Sequence, residues 1–188
     1  MKTVLIVEDE KMIRQGIKTM IMRSGVPIET IMECNNGETA LEILKEQEID
    51  VMFTDIRMPK MDGIELVQKM QSLEHIPLTV AISGYDDFAY AVEMLRNGVR
   101  EYILKPIERE KITEILKKLN AEIESRKEKE ENNQKIGYQQ MRHLMLSDEI
   151  SGEEQRTIES QYADHFYTGN YYVCCQNQVK RGELSDDN

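Results

Sequence analysis

Val4-Leu5-Ile6-Val7-Glu8-Asp9-Glu10 is the stretch that decides the fold. Four apolar residues in succession, closed by three acids, read as a strand covered on both faces. A strand with one wet face would alternate instead. Such a strand belongs in a parallel sheet, and its acids fall at the carboxyl edge of that sheet.

The pattern repeats outward from there. Ile13, Ile17, Met20 and Ile21 recur at helical spacing, and Gly25 and Pro27 end that helix. A second strand spans 30–34; the Asn35-Asn36-Gly37 turn after it offers an Asn as helix cap, and Ala40, Leu41 and Leu44 form the buried stripe. A third strand covers 50–54 and ends at Asp55. The loop Met58-Pro59-Lys60-Met61-Asp62-Gly63 leads to a helix over 64–73, with Asp62-Gly63 read as a plain turn. Strand 78–83, helix 88–97, strand 101–104 and a helix from Glu108 complete five βα units. Strands alternating with helices of this length imply an α/β fold with helices on both faces of a parallel sheet. Right-handed crossovers leave few topologies, and a doubly wound five-stranded sheet of order 2-1-3-4-5, flavodoxin-like, with a C-terminal helical extension, leads them.

The charge distribution narrows the function. A net charge of −11 and a pI near 4.9 repel a phosphate backbone, which argues against a nucleic-acid surface on these residues. Cys34, Cys174 and Cys175 have no framework spacing, and His75, His143 and His165 are too scattered to hold a metal. No apolar run is long enough to span a membrane, and the opening Met1-Lys2-Thr3 has no signal-peptide character, so a cytoplasmic protein with no membrane partner is expected.

In a parallel sheet, the residues at the C-terminal ends of the strands converge on one edge. Strand one brings Glu8 and Asp9, strand three Asp55, strand four Ser83 and strand five Lys105. Crowded carboxylates either keep protons or gather a cation. Hard oxygen donors without sulfur or imidazole suit Mg²⁺. A nucleophilic carboxylate, a divalent cation and a lysine are the parts that phosphoryl transfer requires.

Four motifs, Val7-Glu8-Asp9-Glu10, Phe53-Thr54-Asp55-Ile56-Arg57-Met58-Pro59-Lys60-Met61-Asp62-Gly63, Ile82-Ser83-Gly84-Tyr85 and Tyr102-Ile103-Leu104-Lys105-Pro106, stand in order and at the right intervals. Together they resemble the receiver domain of bacterial two-component response regulators, of the kind found on AraC-type (YesN-like) transcriptional regulators. The resemblance covers residues 1–120. It implies that Glu8 and Asp9 are the acidic pair for Mg²⁺, Asp9 directly, with Asp55 and the backbone carbonyl of Arg57 as further ligands. It implies Asp55 as the phosphate acceptor, Ser83 and Lys105 as partners of the phosphoryl oxygens, and Tyr102 as an aromatic switch. It also implies a cis Lys105–Pro106 peptide, a sensor histidine kinase as donor, slow self-dephosphorylation, and dimerisation through the fourth helix, fifth strand and fifth helix.

Two other classes fit these residues less well. A flavodoxin-like cofactor binder wants a hydroxyl- and Gly-rich loop after strand one, where Glu8-Asp9-Glu10 would repel phosphate. A Mg²⁺-dependent phosphatase with an Asp nucleophile wants a second Asp two residues on, where Arg57 stands. A stand-alone receiver acting by protein–protein contact is a further alternative. Residues 121–150 are expected to be a helical linker, and 151–188, with strand-like Tyr171-Tyr172-Val173-Cys174-Cys175, the start of another domain or a disordered tail. DNA contact is expected only through a domain beyond these residues.

Overall fold

The computed structural model describes residues 1–84 and 88–146, without the side chains of 88–89, 134 and 136–146. The expectations for Tyr85 and for 147–188 lie outside the described residues. The chain divides into two units, Met1–Glu130 and Glu131–Asn188. The first carries the sheet and the candidate site; in the second, the described residues are helical as far as Leu146.

The elements are β1 (Thr3–Val7), α1 (Lys11–Met22), β2 (Thr30–Cys34), α2 (Gly37–Glu46), β3 (Val51–Asp55), α3 (Gly63–Met70), β4 (Leu78–Ser83), α4 (Phe88–Arg96), β5 (Glu101–Leu104) and α5 (Arg109–Leu146). The five strands form one all-parallel sheet in the order β2-β1-β3-β4-β5. Both the α/β fold class and this strand order are as expected. The sheet is fixed by continuous apolar strands: every residue of β3 and β4 is buried. Each fully buried Val, Leu or Ile side chain contributes about 1.5–3 kcal/mol.

The two faces of the sheet have different fillings. One holds Ile17 and Ile21 of α1 and Ile112, Ile115, Leu116, Leu119 and Ile123 of α5 against Ile6, Phe53, Val80 and Ile82. The other holds Ala40, Leu44, Leu66, Val67 and Met94 of α2, α3 and α4, with Met52, Met58, Met61 and Met70. Among the described residues no helix is long and apolar enough to cross a membrane.

Helix starts follow local chemistry. The Asn36 side chain accepts from the Thr39 N–H at 2.9 Å, with Glu38 in the first turn and Lys45 in the last. Asp62 does the same for α3, accepting from Glu65 N–H at 2.8 Å. Asp62-Gly63 is therefore a helix entry rather than the plain turn read from sequence. The α3 helix ends at Met70, short of the expected 73, because Gln71, Ser72 and Leu73 close in single turns on Gln68, Lys69 and Met70.

Candidate functional site

The carboxyl edge of the sheet gathers the charged residues. β1 runs into Glu8 and Asp9, β3 ends on Asp55, β4 ends on Ser83, and β5 runs through Leu104 to Lys105. Adjacent parallel strands in matched register, Val7↔Thr54 and Asp55↔Ile82 among them, end at one level. Three carboxylates result, one oxygen each from Glu8, Asp9 and Asp55, all within 4.8 Å of one another.

Lys105 joins them from the end of β5. Its Nζ donates to Glu8 Oε2 at 2.9 Å and stands 3.2 Å from Asp55 Oδ2. Asp55 Oδ1 accepts from the Ile56 N–H at 3.0 Å. The Lys105–Pro106 peptide is cis, as expected, and the Lys105 N–H donates to Ser83 O at 2.7 Å. Ser83 is buried beside this strand end, and Tyr102 is half-buried on β5, packed on the methionine-rich face. Arg57 lies exposed in the loop after β3, where its guanidinium sits 4.8 Å from the centre of the Tyr90 ring and hydrogen-bonds the Tyr90 hydroxyl.

Burial sets the electrostatics. Glu8 is fully buried and Asp55 nearly so, whereas Asp9 is exposed. Burial pushes the Glu8 carboxyl above its ordinary value, and the Asp55 charge adds to this against the hydrogen bond from Lys105. Burial also raises Asp55, opposed by Lys105 and reinforced by Asp9. For Lys105, burial works against the ammonium, but its hydrogen bond to Glu8 and the charges of Asp55 and Glu8 prevail and raise it. One ammonium among three acids leaves negative charge in excess when all are ionised. The donor set is all hard oxygen, and this fits a small divalent cation.

Three residues to which the sequence pattern gave no role at the site shape it. Gly63 packs so closely that a Cβ there would lie 2.2 Å from the carbonyl oxygen of Asp55. Arg14 donates to the Glu8 carbonyl at 2.5 Å. Tyr90 receives Arg57. A signal existed for Arg14 alone: a cation in the first turn of a helix opposes the macrodipole and calls for a specific partner.

Comparison with known proteins agrees with this geometry. The family of the response regulator receiver domain matches residues 4–117. The transcriptional regulatory protein YesN of Bacillus subtilis is 31% identical over 123 residues, which are 65% of this chain and 33% of YesN. The chain thus spans less than half the length of such curated relatives. Among solved structures, the response regulatory domain of mrkE from Klebsiella pneumoniae superposes with a TM-score of 0.61 at 31% identity, covering 65% of this chain and 98% of that one. The REC domain of AraT, a response regulator from Geobacillus stearothermophilus, gives 0.58 at 34% identity, covering 66% and 97%. On the family match and the parallel sheet together, the chain belongs to the response regulator receiver domain family.

Proposed function

We propose that this chain accepts a phosphoryl group on Asp55 from a sensor histidine kinase and thereby switches an output, transcription in the first instance. The observation that carries the reading is the ammonium of Lys105 held between Glu8 and Asp55, at 2.9 and 3.2 Å. Asp9, Asp55 and the backbone carbonyl of Arg57 would hold Mg²⁺, with Glu8 behind them; when bound, the ion supplies positive charge for the phosphoryl oxygens.

Asp55 attacks phosphorus in line through a carboxylate oxygen. An O–P bond forms, the N–P bond of the phosphohistidine breaks, and its electron pair returns to the imidazole. Lys105 neutralises charge on the transferred group, and Ser83 donates to a phosphoryl oxygen. Movement of Ser83 opens room for Tyr102 to turn inward, and α4, β5 and α5 form the responding face. Leu95 on α4 and Leu104 on β5 are exposed apolar residues there, which supports a homodimer through that face. The phosphoryl group leaves by slow hydrolysis within the same site.

The working division is a receiver over 1–120, a helical linker over 121–150 and a further segment over 151–188. DNA contact would come from a domain outside these residues.

A small phosphodonor with Mg²⁺ tests the reading by intact mass. The expected product is one phosphoryl group per chain, lost in Asp55→Asn and absent when Mg²⁺ is chelated. Full labelling of Asp55→Asn would place the acceptor elsewhere.

A further inference from the structure

Arg14 stands in the first full turn of α1, where its positive charge opposes the helix dipole. Its Nη1 donates to the carbonyl of Glu8 at 2.5 Å and reaches the carbonyl of Asp9 at 3.4 Å. Its Nε faces Glu33 Oε2 of β2 at 3.6 Å. The side chain is 15% exposed and that of Glu33 19%, so both are largely out of water. Glu33 is itself gripped by Lys18 at 2.5 Å and Gln15 at 2.7 Å. The α1 N-cap, Glu10, makes no side-chain cap hydrogen bond. Within the turn between β1 and α1 the Glu10 N–H reaches Glu8 Oε1 at 3.4 Å, and the carbonyls are held by a guanidinium whose own direction is set from β2.

From this geometry we infer that Arg14 is a positioning residue for the divalent cation, and that Glu33 is its anchor. The inference rests on the reading of Glu8, Asp9 and Asp55 as a cation-holding receiver pocket. Backbone carbonyls aimed inward would add negative ends of dipoles to a pocket already rich in carboxylates. Arg14 draws both carbonyls to its own side of the turn and so fixes the backbone from which the Glu8 and Asp9 side chains spring. The exposed Asp9 depends on this most, because Glu8 is also held by Lys105. Groups that orient metal ligands from behind change metal affinity about tenfold to a hundredfold when removed.

Positioning and simple charge predict opposite signs. Arg14→Gln removes a cation near the site, which by charge alone tightens Mg²⁺. Arg14→Lys keeps the charge and loses the planar fork, which by charge alone changes nothing. If Arg14 positions the turn, both variants bind Mg²⁺ at least about tenfold more weakly. Lys118→Ala removes an ion pair with Glu101, at the opposite end of β5 from Lys105, and touches neither Glu33 nor the carbonyls; it leaves Mg²⁺ affinity unchanged.

The experiment is a calorimetric Mg²⁺ titration of the full chain and these variants, with amide NMR of residues 8–10 and urea unfolding alongside. Weakening in both Arg14 variants, with Lys118→Ala at wild-type affinity, is the expected result. Tighter binding in Arg14→Gln with no change in Arg14→Lys overturns the inference, as does unchanged affinity in both. If the Arg14 variants do not fold, Glu33→Asp keeps Arg14 and the negative charge but shortens the reach to its Nε. It must then lose affinity several-fold, and wild-type affinity there also overturns the inference. A wild-type chain that takes up no Mg²⁺ at residues 8–10 defeats the receiver reading itself, a different outcome from binding that the variants leave intact.

Discussion

Gly63→Ala tests whether the acceptor is placed by contact between α3 and the end of β3. The added Cβ would lie 2.2 Å from Asp55 O, 3.0 Å from Ile56 Cα and 3.1 Å from the Asp55 carbonyl carbon. Ordinary contact between such atoms is about 3.5 Å, so the start of α3 is more than about 1 Å too close. The atoms it meets are backbone at the end of β3, where Asp55 pairs with Ile82 of β4 and the Ile56 N–H donates to Ile82 O at 3.1 Å, and they cannot retreat. The helix start must move instead, which stretches the 2.9 Å hydrogen bond from Gly63 N–H to Ile56 O and disturbs the Asp62 cap. Overpacking costs about 1–3 kcal/mol and a lost cap about 0.5–2 kcal/mol. The two together come to about 1.5–5 kcal/mol, or a fall in Tm of roughly 5–20 °C. Gly16→Ala supplies the opposite sign within the same chain. It lies inside α1 with nothing within 4 Å of its Cβ, so Ala there gains about 0.5–1 kcal/mol of helix propensity. Urea unfolding tracked by circular dichroism in Mg²⁺-free buffer reads both. A Gly63→Ala variant within about 0.5 kcal/mol of wild type, beside a stabilised Gly16→Ala, would refute the argument for how Asp55 is held.

Burial raises both Glu8 and Asp55 above their ordinary values of 4.5 and 3.8, so the folded state binds their protons more tightly than the unfolded chain. Their contribution to stability is complete below those values and is lost as pH rises through the raised ones. In chelator, the wild type should therefore lose stability relative to Glu8→Gln as pH rises from about 4, and saturating Mg²⁺ should reverse this for the wild type; parallel urea midpoints across pH would count against it. Cys34 is buried and its thiol is pushed up to about 11 from 9.0, so in a Cys174→Ser, Cys175→Ser background a thiol reagent should find about a hundredfold less thiolate in the folded chain than in urea. Removing the ring contact in Tyr90→Leu should speed amide exchange in α4 about two- to fivefold, with β3 and β4 unchanged.

The sheet was legible because short apolar runs and stripes of period 3.6 alternate without interruption, and because β1 and β3 are apolar almost throughout. The meeting of Glu8, Asp9, Asp55 and Lys105 came from topology alone: parallel strands deliver their C-terminal neighbours to one edge. What escaped depends on distance rather than pattern. The need for glycine at 63 arises from the backbone of Asp55, which only the fold brings against it, and φ plays no part in it. Asp62 looked like a turn because capping and turn chemistry use the same residues. The pairing of Arg57 with Tyr90 joins positions 33 residues apart that share no periodicity. Residues from 121 onward were readable as helix, and α5 runs as far as Leu146.

The contrast between the two fillings of the sheet gives each face its own mechanical character. Isoleucines such as Ile17, Ile21, Ile112 and Ile115 have stiff, branched stems that tolerate few shapes, so the α1 and α5 side behaves as a rigid keel. Met52, Met58, Met61, Met70 and Met94 lie opposite, and unbranched thioethers with three rotatable bonds mould themselves to a changing cavity at little cost. A displacement of α4 thus meets a yielding bed, while the far side keeps the strand ends, and the acids they carry, in alignment.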